Sequence, residues 1–70
     1  MKIKDGQTWL LPENMEGDMT VVRVLKARLP KPDNDHIKVF VLESTSPGLC
    51  AGTVDLIHVD WFLDDGSLLS

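Results

Sequence analysis

No tyrosine occurs in these 70 residues, and Trp9, Phe40, Trp61 and Phe62 are the only aromatic side chains. A domain of this length buries roughly 60% of its unfolded surface, so most of these rings are needed inside. Cysteine is reduced to Cys50. A single thiol forms no internal disulfide, which points to a reducing cytoplasm and to Cys50 as a small, partly buried apolar residue. No apolar run approaches a membrane span, and the opening Met1–Gly6 lacks the apolar segment of a signal peptide. Cationic excess is missing too: eleven Asp/Glu outweigh seven Lys/Arg for a net charge of −4, too acidic for a broad phosphate-binding surface. The chain has no Gly-rich phosphate loop, zinc-ligand spacing or nucleophile elbow. His36 and His58 have no Ser or Cys at a motif spacing, and so small a domain offers little cleft for a carboxylate pair. Asp33 and Asp35 have the spacing of the first calcium-loop ligands, but the Gly and terminal Glu of that loop do not follow. The chain therefore reads as a non-enzyme with no metal and no cofactor.

What is present is one β-rich domain spanning residues 1–70. An apolar fraction of 43% with 26% charged residues suits a folded chain rather than a disordered one. The charge is uneven. Residues 1–32 hold six Lys/Arg against four Asp/Glu, a balance of +2, whereas residues 33–70 hold one Lys against seven Asp/Glu, a balance of −6. A basic side and an acidic side follow, able to steer a charged partner.

Gly6–Leu11 reads as a first strand ended by Pro12, with Trp9 as its core anchor. Pro12–Asp18 is a loop whose Glu13, Glu16 and Asp18 are solvated. Met19–Leu29 is the longest strand candidate. Val22 and Val24 share a face with Lys26 and Arg28, while Val21, Leu25, Ala27 and Leu29 share the other with Arg23. Neither face is apolar throughout, which predicts a bent strand that buries different faces in its two halves. Pro30–Asp35 is a loop, since two prolines lack ladder donors. His36–Glu43 alternates cleanly: Ile37, Val39 and Val41 face one way, and His36, Lys38, Phe40 and Leu42 the other. Ser44–Leu49 is a turn with Pro47-Gly48 at its apex. Val54–Val59 suits a half-buried strand interrupted by Asp55 and His58. Asp60 then caps one helical turn of Trp61, Phe62 and Leu63, Asp65-Gly66 reverses the chain, and Ser67–Ser70 returns as a last strand.

This order of parts resembles the SH3-like barrel. The resemblance implies an all-β fold, a small five-stranded barrel with one short 3₁₀ turn before the last strand. Within that class, Gly6-Gln-Thr-Trp9 and Phe62-Leu-Asp-Asp-Gly-Ser-Leu-Leu69 resemble the ends of small proteins encoded by phages and mobile elements, which implies a host protein as target. Without Tyr, the chain departs from signalling SH3 domains, whose proline groove is a row of Tyr and Trp. Four aromatics also argue against a methyl-lysine cage, and the acidic balance argues against an RNA-binding barrel of the KOW type.

A hairpin with even register would set Phe40 and Leu42 beside Val24, Lys26 and Arg28, with Lys38 adjacent. The result would be an apolar patch rimmed by cations, and Trp61 offers a second contact. A competing reading packs Phe40 and Leu42 beneath the N-terminal segment or a terminal strand. The expected function is a cytoplasmic interaction module that binds or blocks another protein. Two alternatives stand beside it. One is a nucleic-acid-binding barrel with Arg23, Lys26, Arg28, Lys31 and Lys38 on phosphates and Phe40 stacked on a base. The other is a subunit whose apolar face is a homodimer interface.

Overall fold

The computed structural model describes residues 3–12, 17–45 and 48–70. Five strands form, β1 (Thr8–Pro12), β2 (Met19–Lys26), β3 (His36–Ser44), β4 (Val54–His58) and β5 (Ser67–Leu68), with one helix, α1 (Val59–Asp64), between β4 and β5. They make a single antiparallel sheet in the order β4-β3-β2-β1-β5. The expected β order is present, but the sheet is open: β4 and β5 are its two edges, and no ladder joins them. β5 pairs with β1 at Trp9↔Leu68 and Leu10↔Ser67, and the Leu69 N–H donates to the Thr8 carbonyl at 2.8 Å. The helical turn is a six-residue α-helix rather than a 3₁₀ turn. Its N-cap is His58, not Asp60, because the His58 side chain accepts the Asp60 N–H. The expected Pro47-Gly48 apex and the loop carboxylates Glu13 and Glu16 lie, wholly or in part, outside the described residues. Asp18 accepts a hydrogen bond from the Thr45 hydroxyl at 3.2 Å.

Two β-bulges in the β2–β3 hairpin explain why the alternation along Met19–Leu29 breaks. Val24 pairs with Val39 and Lys26 with Lys38, so Leu25 is an extra residue in β2. Val22 pairs with Val41 and Val21 with Glu43, so Leu42 is an extra residue in β3. A bulge bends its strand and sharpens the local twist. Past Leu25 the parity resets: Val22, Val24 and Ala27 are all buried although Ala27 has the opposite sequence parity. The expected switch of buried face between the two halves is observed, and a bulge is its cause.

The core lies on one face of this sheet. Trp9 and Leu11 from β1, Val22 and Val24 from β2, Ile37, Val39 and Val41 from β3 and Ile57 from β4 join Ile3, Ala27 and Phe62 in one cluster. Phe62 reaches it from α1 and meets the Trp9 ring edge-on at 5.6 Å between centroids, a favoured aromatic geometry. The buried polar side chain Thr20 is satisfied by the Ser44 hydroxyl at 3.0 Å. Trp9 also finds a partner, its indole N–H donating to the Gln7 Oε1 at 3.1 Å.

Candidate functional site

The outer face of β2, β3 and β4 carries the feature most in need of a role. Register places Arg23, Phe40 and Val54 in one row across the three strands and Lys26, Lys38 and Leu56 in the next. Leu25, Leu42, Val54 and Leu56 are exposed large apolar residues, and Phe40 is half-buried. Phe40 and Leu42 are therefore not in the core, and the reading that covers them with a terminal segment does not hold. Val24 does not belong to this face. Its partner is Val39 rather than Phe40, so it points inward and is 1% exposed. Arg23 takes the place expected of Val24 beside Phe40.

Sequence reading missed Val54 and Leu56. A signal for them was present: β4 has apolar residues at both parities, Ile57 on one and Val54 with Leu56 on the other, although only one face of an open sheet meets the core. Trp61 stands on α1, apart from the face of β2, β3 and β4. It is half-buried against the core cluster, and its indole N–H donates to the Pro12 carbonyl at 2.9 Å. Cys50, expected to be partly buried, is exposed in the β3–β4 connection.

Arg28 lies beyond the end of β2. It borders a shallow cleft of about 310 Å³ lined by Ile3, Lys4, Asp5, Lys26, Ala27 and Arg28. The Asp5 carboxylate accepts the Ala27 N–H at 2.7 Å, which ties the N-terminal segment to the end of β2. Lys26 stands on both the cleft and the outer face, so the two surfaces are continuous.

The β4 edge beside this face is closed to strand addition at its centre. The Val41 N–H donates to the Thr53 carbonyl, and alternation then turns the backbone groups of Val54, Leu56 and His58 outward. The outward Leu56 N–H is taken by the Asp55 Oδ1 at 2.8 Å. A carboxylate on an edge strand is a common guard against pairing with another chain.

A second cluster links β3, β4 and α1. His36 and His58 are directly paired across the strands, with their rings edge-to-face at 5.3 Å. The Asp35 carboxylate spans both, 2.7 Å from His36 Nδ1 and 3.4 Å from His58 Nε2. Because His58 Nδ1 accepts the Asp60 N–H at 3.1 Å, the proton of the neutral imidazole sits on Nε2, facing Asp35. The Asp35 carbonyl also accepts the Val59 N–H at 2.9 Å. These bonds join the Pro-rich loop to the start of α1. Among the described residues, no three His, Cys, Asp or Glu are placed to hold a metal ion.

The hydrogen bond from His36, aided by the charges of His36 and His58, holds the Asp35 carboxyl below the ordinary aspartate range. A carboxyl with a lower pKa folded than unfolded adds stability above its unfolded value, and that stability is lost as pH falls through the folded value. Wild type is thus expected to exceed Asp35→Asn in urea midpoint at roughly pH 5 and above, with the gap closing on further acidification. A gap that stays constant down to the acid limit would show that the carboxylate is not the cause.

Among the described residues, no helix is long and apolar enough to cross a membrane. Compared with known proteins, the chain matches no family model, no curated protein and no solved structure.

Proposed function

We propose that this protein is a non-enzymatic interaction module that docks another protein on the outer face of β2, β3 and β4. The observation that carries the reading is the double row Arg23–Phe40–Val54 and Lys26–Lys38–Leu56, in which aliphatic side chains stay exposed with cations around them. The strand order and the helix before the last strand support an SH3-like barrel as the parent architecture, with β4 and β5 as the two margins of its seam. The resemblance of the chain's two ends to small phage and mobile-element proteins supports a host protein as the partner and inhibition as the outcome. A lone cysteine supports a cytoplasmic setting.

Two other readings draw less support. Phosphate binding would want several exposed rings for base stacking, whereas this face is mainly aliphatic and Phe40 is half-buried. Pairing of two copies along β4 would have to displace the Asp55 carboxylate from the Leu56 N–H.

Leu56→Glu tests the proposal. Leu56 is 44% exposed, so the change should move stability by no more than about 0.5 kcal/mol while abolishing capture of a host protein by immobilised protein. Sedimentation velocity on the wild type should show a monomer. A dimer that Leu56→Glu dissociates would replace the proposal with the homo-oligomer reading, and undiminished capture by the variant would move the contact off this face.

A further inference from the structure

We infer that the cleft between the Ile3–Asp5 segment and the end of β2 is a carboxylate-binding subsite, and that the partner docked beside it is an acidic, aliphatic protein segment. This rests on the proposed docking face and adds the chemistry of what that face receives. Lys4, Lys26 and Arg28 line the cleft, and Lys26 is directly opposite Lys38 in the hairpin. Like charges facing each other across strands destabilise a sheet. Among the described residues every ion pair is made by a histidine, none by a lysine or arginine. The one carboxylate in the cleft, that of Asp5, is engaged by the Ala27 N–H.

Lys4, Lys26, Arg28 and Lys38 thus outnumber the Asp5 carboxylate at one end of an apolar face, on a protein whose net charge is −4. An incoming carboxylate in the cleft would offset the Lys26–Lys38 repulsion, and the row ends at Leu56, where an aliphatic side chain of the same segment finds cover. The acidic total of the chain disfavours a dense polyphosphate, which would feel the whole molecule's field as well as the local one. Separate carboxylates set among aliphatic side chains match the alternation of the surface better.

The test uses the ¹⁵N-labelled 70-residue protein and a synthetic peptide of Glu-Glu-Leu-Leu repeats. Its Gln-Gln-Leu-Leu counterpart, a single-stranded oligonucleotide and inorganic phosphate are the comparison probes. The Glu peptide should shift the amides of Lys4, Lys26, Ala27 and Arg28, and added salt should weaken it. The Gln peptide should bind at least about tenfold more weakly, equivalent to ~1.4 kcal/mol. Lys26→Glu and Arg28→Glu, both at exposed positions, should each reduce Glu-peptide affinity without changing the wild-type fold pattern of the spectrum. Tighter binding of the oligonucleotide at the same amides would overturn the inference in favour of nucleic acid. Equal binding of the two peptides, or cleft amides unmoved by millimolar Glu peptide, would also overturn it. If Leu56→Glu abolishes binding while Lys26→Glu and Arg28→Glu do not, the docking face survives and the carboxylate subsite falls. If only the charge reversals matter, the subsite stands and the aliphatic face is not part of it.

Discussion

Phe62→Ala is expected to remove a large share of this protein's stability. Phe62 is 1% exposed and is the only fully buried side chain that α1 contributes. The core has a sheet on one side only, so the far side depends on this ring and its edge-on contact with Trp9. Truncating a buried Phe costs about 3–5 kcal/mol. A chain of this length has about 4–10 kcal/mol of total stability, so the loss takes a large share of what exists. Urea titration followed by circular dichroism should show the variant's midpoint far below that of the wild type. A shift corresponding to under about 1 kcal/mol would mean that α1 is not what seals the core.

Gly66→Ala should be nearly as damaging, for reasons of space rather than backbone conformation. A Cβ there would stand 2.6 Å from the Phe62 carbonyl oxygen, 2.9 Å from its Cα and 3.1 Å from Leu11 Cδ2. The first two atoms are backbone and cannot rotate away. Moving Gly66 back would stretch its N–H bonds to the Trp61 and Phe62 carbonyls, both 3.1 Å, which end α1 and aim the chain into β5. Overpacking of this kind costs about 1–3 kcal/mol. Gly52→Ala is the informative control, since Gly52 has φ +85° but nothing within 4 Å of a Cβ; its cost is conformational alone. Measured by chemical denaturation, Gly66→Ala should be the worse of the two and should release Phe62 from the core. The reverse order would show that the end of α1 can yield.

The strands could be read from residue pattern because each follows a local rule. Ile37, Val39 and Val41 alternate with Lys38 and Phe40, and that period of two describes β3 almost to its ends. Pro30 and Pro32 mark the β2–β3 loop for an equally local reason. What could not be read depends on register, which no single strand contains. Placing Val24 beside Phe40 assumed an unbroken ladder, and one surplus residue was enough to put Arg23 there instead. The helix cap was misassigned because Asp60 is a better capping residue than histidine by general preference, yet His58 is held in place by Asp35, a contact made across the sheet. Val54 and Leu56 stayed hidden because a run that is apolar at both parities does not itself say which of its faces meets the core.

Leu25 and Leu42 have one more implication. Each is spliced into a ladder whose other residues would keep their partners if it were deleted. The stretch of hairpin around the deleted residue would then pair without a break and run straighter, drawing β4 away from the side on which Phe62 sits. Arc and twist in this small protein are written in residue number more than in residue type. Deleting Leu25 or Leu42 would leave every other strand residue with its partner and still flatten the bowl that the core fills.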